Sequence, residues 1–115
     1  MTYNQVPDIL VLPEGLRVVM SRWFYNSNVQ DVTISQSVEE IQDEAFAHSA
    51  NLRKITFAEN SKLRKIGMEA FAETQLSEFD APQLLESIGF GAFRGTALDV
   101  FFAPKNLKTI EACAF

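Results

Sequence analysis

The strongest constraint on this chain is a spacing. An apolar residue is followed three positions later by Ile or Val, and five positions after that by Phe. This occurs at Leu16/Val19/Phe24, Val38/Ile41/Phe46, Leu63/Ile66/Phe71, Leu85/Ile88/Phe93 and Leu107/Ile110/Phe115. The Phe anchors lie 22, 25, 22 and 22 residues apart, and the leading residue precedes its Phe by eight every time. A unit this short cannot enclose a core by itself. Recurring units therefore bury their apolar faces against one another, coil on coil, as a solenoid.

A second phrase runs between the first: Val6/Ile9/Val11, Val29/Val32/Ile34, Leu52/Ile55/Phe57, Leu76/Phe79/Ala81 and Leu98/Phe101/Ala103. Its last two members flank a polar residue in Val32-Thr33-Ile34 and Ile55-Thr56-Phe57, the alternation of a strand with one buried face. Together the phrases divide the chain into coils 12–34, 35–57, 58–81 and 82–103 and a partial coil 104–115. Residues 6–115 then form one domain, and the polar residues 1–5 a frayed N-terminus. Coils of 22–24 residues have no room for a full crossover helix. The return segments Asp43–Ala47, Met68–Ala72 and Phe90–Phe93 are expected to make one or two helical turns, with Ala beside Phe so that coils approach closely. One extra residue between Phe46 and Leu52 and two between Phe57 and Leu63 account for the 25-residue interval, as loop insertions. Pro13, Pro82 and Pro104 follow strand ends, where a missing backbone donor harms a ladder least.

The run Leu-Glu-Ser-Ile-Gly-Phe-Gly-Ala-Phe-Arg-Gly-Thr at 85–96, followed by Leu98, Phe101, Ala103 and Pro104, resembles the BspA-like class of leucine-rich repeats. The resemblance extends from Val6 to Phe115. It implies an α/β right-handed leucine-rich-repeat solenoid, with a short parallel sheet on the concave face and short helical turns opposite. It also implies a place in bacterial or protozoan surface proteins, for which binding of extracellular host proteins and adhesion are the roles proposed. The chain departs from the pattern at Trp23, where other repeats have Ala. The asparagine that often ends the strand is present only as Asn60 and Asn106, with Ser37 and Leu84 at the equivalent places.

Catalytic chemistry finds little support. His48 and Cys113 are the sole histidine and cysteine and fall three coils apart, too far for a nucleophile and its base. No metal-ligand spacing can be drawn from them, and no cofactor is implied. Gly89-Phe90-Gly91 lacks the third glycine and the Lys-Ser/Thr of a phosphate loop, and the repeat accounts for both glycines. Glu39-Glu40, Asp43-Glu44, Glu78 and Asp80 read as solvated carboxylates rather than a glycosidase pair. A net charge of −5 disfavours nucleic acid as a partner. No apolar run is long enough to insert in a membrane. The start, Met1-Thr2-Tyr3-Asn4-Gln5, lacks the basic and apolar regions of a signal peptide, so the compartment stays open between a chain not exported by that route and a piece of a longer protein.

The binding surface follows from the strand alternation. If the second-phrase residues point inward, their neighbours Asp31, Thr33, Lys54, Thr56, Glu78, Asp80, Val100 and Phe102 face outward on the concave sheet. Asp31, Lys54 and Glu78 would stack as a ladder of alternating charge, read either as mutual satisfaction or as the polar rim of a site. Phe101 and Phe102 are adjacent, so one of them must stay outside. It would serve as an anchor for a partner, as cover for the end of the solenoid, or as a harmless exposed side chain. Trp23 and Tyr25 are placed to spread over the first coil as a cap. No cap follows Phe115, so the last coil would be continued by further repeats or covered by a second copy of the chain. The function expected is a non-catalytic protein-protein interaction module, plausibly part of a surface or adhesion protein. An intracellular scaffold or assembly domain is the alternative, and a carbohydrate-binding module a more distant one.

Overall fold

The computed structural model describes residues 6–115, so the frayed start expected for residues 1–5 lies outside the described residues. Eight short strands follow one another: β1 (Ile9–Val11), β2 (Val18–Val19), β3 (Asp31–Ile34), β4 (Glu40–Ile41), β5 (Lys54–Phe57), β6 (Lys65–Ile66), β7 (Ser87–Ile88) and β8 (Thr109–Ile110). They make two sheets, β1-β3-β5 and β2-β4-β6-β7-β8, and every pairing is parallel. Strands paired at a separation of one coil, 22–25 residues, and always parallel define a solenoid: the chain returns to each column one coil further on. The second phrase supplies the wider sheet, as its alternation implies. The first phrase also makes a sheet of its own, a narrow column two residues wide running through five coils.

Between the two sheets lies the core. The phenyl rings of Phe24, Phe46, Phe71, Phe93 and Phe115 stack in one column, with centroids 5.1, 5.3, 5.4 and 5.4 Å apart and planes within 14° of parallel. Phe46, Phe71 and Phe93 are completely enclosed, together with Ile41, Ile66, Ile88, Leu63 and Leu85. Phe24 is partly covered and Phe115 is half exposed, as befits the ends of a column.

The expected helical turns are not formed; among the described residues there is no helix. The return segments are chains of hydrogen-bonded β-turns instead. In the second coil Ala45, Ala47 and Ser49 donate their N–H groups to Gln42, Glu44 and Phe46, closing three overlapping turns. The intervening Glu44, Phe46 and His48 donate to Met68, Ala70 and Ala72 of the next coil at 2.8 Å. Left-handed residues recur four apart, at Arg22 and Asn26, Glu44 and His48, Glu69 and Glu73, and Gly91 and Gly95. A helix needs right-handed φ at every residue, so this recurrence stops one before it completes a turn. Gly91, once a candidate phosphate-loop residue, occupies the same left-handed position as Glu44 and Glu69 (φ 62°). Gly89 is needed for close approach: a Cβ there would lie 2.7 Å from the Gly67 backbone in the coil below.

The first strand corrects a register. Of the expected inward triplet Val6/Ile9/Val11, Val6 packs against the core, but Ile9 and Val11 are out by one residue. β1 pairs Leu10 with Val32, so Leu10 and Leu12 face inward while Ile9 and Val11 are 68% and 67% exposed. The run Ile9-Leu10-Val11-Leu12 is apolar throughout, and alternation alone cannot orient it; stacking on β3 does.

The sheets also differ in extent. The narrow sheet persists to the last coil, but the wide one stops at β5, and residues 76–81 and 98–103 run alongside it without ladder bonds. Two features of the sequence account for this. β3 and β5 carry Val-Thr-Ile and Ile-Thr, whereas the next segment reads Glu78-Phe79-Asp80-Ala81, with acidic residues that suit strands poorly. Ala58, just past β5, donates its N–H to Ile34 at 3.0 Å. The residue equivalent to Ala58 in the next coil is Pro82, which has no N–H to give Phe57. The expected harmlessness of the post-strand proline therefore fails at Pro82.

Replacing Phe71 with Ala removes a ring held on both faces. It should cost about 3–5 kcal/mol in a denaturant titration, a large part of the stability of a domain this size. The register of β1 is checked by a pair of variants: Leu12→Ala should cost about 2 kcal/mol or more, and Val11→Ser should stay within about 0.5 kcal/mol.

Candidate functional site

The outer face of the wide sheet carries two rows of side chains. One contains Ile9, Asp31 and Lys54 in ladder register, continued by Glu78 and Val100. The other contains Val11, Thr33 and Thr56, continued by Asp80 and Phe102. Asp31 and Thr33 are half-buried, whereas Lys54, Thr56, Glu78 and Asp80 are exposed. Val100 is 57% exposed and Phe102 82%. Phe101 turns inward against the last ring of the column, 4.9 Å from Phe115, and so leaves Phe102 as the outward member of the pair. The face is thus apolar at both ends and polar between. Ile9 and Val11 join this face because the register of β1 turns them outward rather than into the core.

The charges do not pair as the alternating ladder suggests. Asp31 accepts from Arg53 Nε at 3.4 Å rather than from Lys54. Among the described residues Lys54, Glu78 and Asp80 make no ion pair. The ladder of alternating charge lies elsewhere, on the residue before each narrow strand: Arg17 meets Glu39 at 3.2 Å, and Arg64 meets Glu86 at 2.8 Å. On the turn column Arg94 joins Glu69 and Glu73, and the hydrogen bond it donates to the Glu69 carboxylate, then that carboxylate's charge, holds the Arg94 guanidinium above its ordinary pKa. These pairs are exposed and screened by solvent, so each contributes little to stability, and they serve coil stacking.

Two open cavities line the seam beside β5. One, of about 540 Å³, is bordered by Arg53, Lys54 and Ile55 on the strand side and by Ser77, Glu78 and Asp80 opposite. The other, of about 470 Å³, continues past Phe57 and Ala58 to Asp80, Pro82 and Leu84. Asp80 belongs to both. The signal for this seam was present in the sequence as Pro82 preceded by two carboxylates.

A largely buried polar column, with no signal in the apolar phrases, runs beside the rings. Three residues after each Phe stands a hydroxyl: Ser27, Ser49, Thr74 and Thr96. The Ser49 hydroxyl donates to the Phe24 carbonyl at 2.6 Å, while Thr74 and Thr96 donate to the carbonyls of Phe71 and Phe93 at 2.9 and 2.8 Å. In place of asparagine, Ser37 donates to the Leu16 carbonyl at 2.7 Å and Asn106 to that of Gln83 at 3.2 Å. Trp23 sits edge-on to Phe24, and Arg22 lies over the Tyr25 ring at 4.1 Å, so the first coil carries an aromatic cover. His48 lies beside Tyr25 with ring centroids 5.4 Å apart, in the second coil, and Cys113 lies in the last. No group of three potential metal ligands converges among the described residues, and no helix is long and apolar enough to cross a membrane.

Parallel columns, a phenyl spine and side-chain ladders on the coil edges define a leucine-rich-repeat solenoid. The model of the BspA type leucine-rich repeat region (6 copies) matches residues 4–115. The chain belongs to that family. Among solved structures it is similar to a leucine-rich repeat protein from Eubacterium ventriosum, at 27% identity over 90% of this chain and 27% of the other, with a TM-score of 0.82. The pneumococcal vaccine antigen PcpA aligns at 24% identity over 78% of this chain and 28% of its own, with a TM-score of 0.66. A leucine rich cell surface protein from Faecalibacterium prausnitzii aligns at 21% identity over 90% and 43%, with a TM-score of 0.57. The last two are likenesses of fold alone. This chain spans between 27% and 43% of the length of these proteins. No relative is found among curated protein sequences.

Proposed function

We propose that the chain is a non-catalytic protein-binding module of a surface or adhesion protein, and that a partner docks on the outer face of the wide sheet. The observation that carries this is Phe102, 82% exposed beside Val100, the most exposed of the large apolar side chains among the described residues. A ring left in water on a flat face is the kind of side chain that anchors an interface, and Asp31, Thr33, Lys54, Thr56, Glu78 and Asp80 supply a polar rim to orient what docks there. The surface setting is drawn from the bacterial neighbours, one of them a vaccine antigen and another a cell surface protein by their descriptions. An extracellular host protein is the partner class this reading favours, over an intracellular scaffold role or a carbohydrate ligand.

The test uses the whole chain as bait. Val100→Asp with Phe102→Asp should weaken capture of a bound protein by at least about tenfold while Tm stays that of the parent. Equal capture by an intact double variant removes this face as the anchor.

A second reading concerns the last coil, where Ile110 is 47% and Phe115 50% exposed, while Ile88 and Phe93 below them are enclosed. That apolar end supports association with another coil of the same kind, here a second copy of the chain. Sedimentation at high concentration should then give a dimer that Ile110→Glu dissolves; a monomer throughout discards it.

A further inference from the structure

In a parallel ladder successive residues direct their N–H and C=O groups to opposite neighbours. Lys54 and Ala58 donate back to Gln30 and Ile34, at 3.3 and 3.0 Å. By that alternation Ile55 and Phe57 turn their backbone groups the other way, toward residues 77–82. Among the described residues no backbone bond crosses from that segment to β5 above the one from Gln75 to Leu52, at 2.8 Å. The chain is therefore tied at the base of the seam and open above it, with Pro82 standing where a closing donor would be. An open strand edge is a template for another strand. Here it lies inside the solenoid, not at its end, so continuing the repeat cannot cover it.

We propose that this seam takes an extended segment of a protein partner as an added strand on β5, with a Lys or Arg side chain of that segment set against Asp80. The proposal rests on the protein-binding reading above and names the chemistry recognised. Three features set that chemistry. The edge of Ile55 and Phe57 offers main-chain pairing, which selects an extended backbone. Phe79 fills the floor: it is 6% exposed and packs against Phe57, Phe71 and Phe93 with centroids 5.5, 6.0 and 4.7 Å away, so inward side chains of the added strand must be small. On the outer side, the position between Thr56 and Asp80 faces a carboxylate that, among the described residues, has no cation against it, whereas the position two residues away lies between Lys54 and Glu78 and favours a neutral polar side chain.

The probe is a capped heptapeptide in which alanine alternates with threonine and a single central lysine, beside a copy N-methylated on alternate backbone nitrogens. In the full chain without peptide, the amides of Ile55 and Phe57 should exchange with solvent at least about tenfold faster than those of Val32 and Ile34. Saturating peptide should slow them by at least about tenfold and leave the other strands unchanged. The N-methylated copy should give no protection, and Asp80→Asn should weaken binding of the parent peptide at least about threefold. The triple change Glu78→Thr, Asp80→Thr and Pro82→Ala restores strand formers and the missing donor; it should protect Ile55 and Phe57 without peptide and abolish peptide binding. Slow exchange of both amides in the unliganded parent overturns the proposal. So does equal binding of the N-methylated copy, or no protection at millimolar peptide. If a captured partner is lost on Val100→Asp with Phe102→Asp but kept by the triple variant, the face binds protein and the seam does not.

Discussion

The phenyl column sets the dimension that everything else must match. Flat rings stacked 5.1–5.4 Å apart require each coil to climb by about the separation of hydrogen-bonded strands. The narrow sheet and the turn ribbon, on either side of the rings, climb by the same step. Three columns sharing one rise leave little freedom in the coil, and changes of length are driven into the corners. The interval from Phe46 to Phe71 shows how. The narrow strands shift by 25 residues, Ile41 onto Ile66, while the wide strands shift by 23, Ile34 onto Phe57. The surplus sits in the loops at 47–51 and 58–62, and the rings between stay 5.3 Å apart.

Because the rings and narrow strands hold each coil firmly, the wide sheet is free to be imperfect. Its loss of pairing beyond β5 does not propagate: the narrow ladder continues through Ile66, Ile88 and Ile110, and the turn ribbon through Phe71, Phe93 and Ala114. Stability and surface chemistry are thereby separated. The columns that carry the core are the ones with enclosed Leu, Ile and Phe, and the face with exposed Lys54, Glu78, Asp80 and Phe102 can vary without disturbing them. A region with few backbone bonds between packed columns is also where local opening costs least.

Much of this architecture was legible because it is periodic. The Phe and Ile/Leu phrases located the spine and the inward residues of β3 and β5, since repetition averages away the ambiguity of any one segment. Where the repeat is at its edge that averaging fails. Ile9-Leu10-Val11-Leu12 gives no polar residue to break the tie between faces, and only stacking on Asp31–Thr33 orients it. The helical reading of Asp43–Ala47 rested on composition, and composition cannot reveal left-handed φ at Glu44 and His48, where neither residue is glycine. The candidate face was readable as positions but not as partners: Asp31 had two cations within reach, Arg53 and Lys54, and the structure gives it the one that sequence alternation does not place beside it.

The backbone bonds between coils have a direction in the turn ribbon. There the donor belongs to the earlier coil, as from Phe71 to Ala92, whereas the parallel ladder of the narrow sheet bonds in both senses. Each coil therefore has a top and a bottom that are not interchangeable, like a tongue-and-groove board. A duplicated segment of one period, inserted anywhere in the same orientation, meets donors with acceptors on both sides. The same segment turned over would set carbonyl against carbonyl. Such a chain can lengthen or shorten by whole coils through unequal exchange between copies, with the bonding of the narrow sheet and the turn ribbon kept at every new junction.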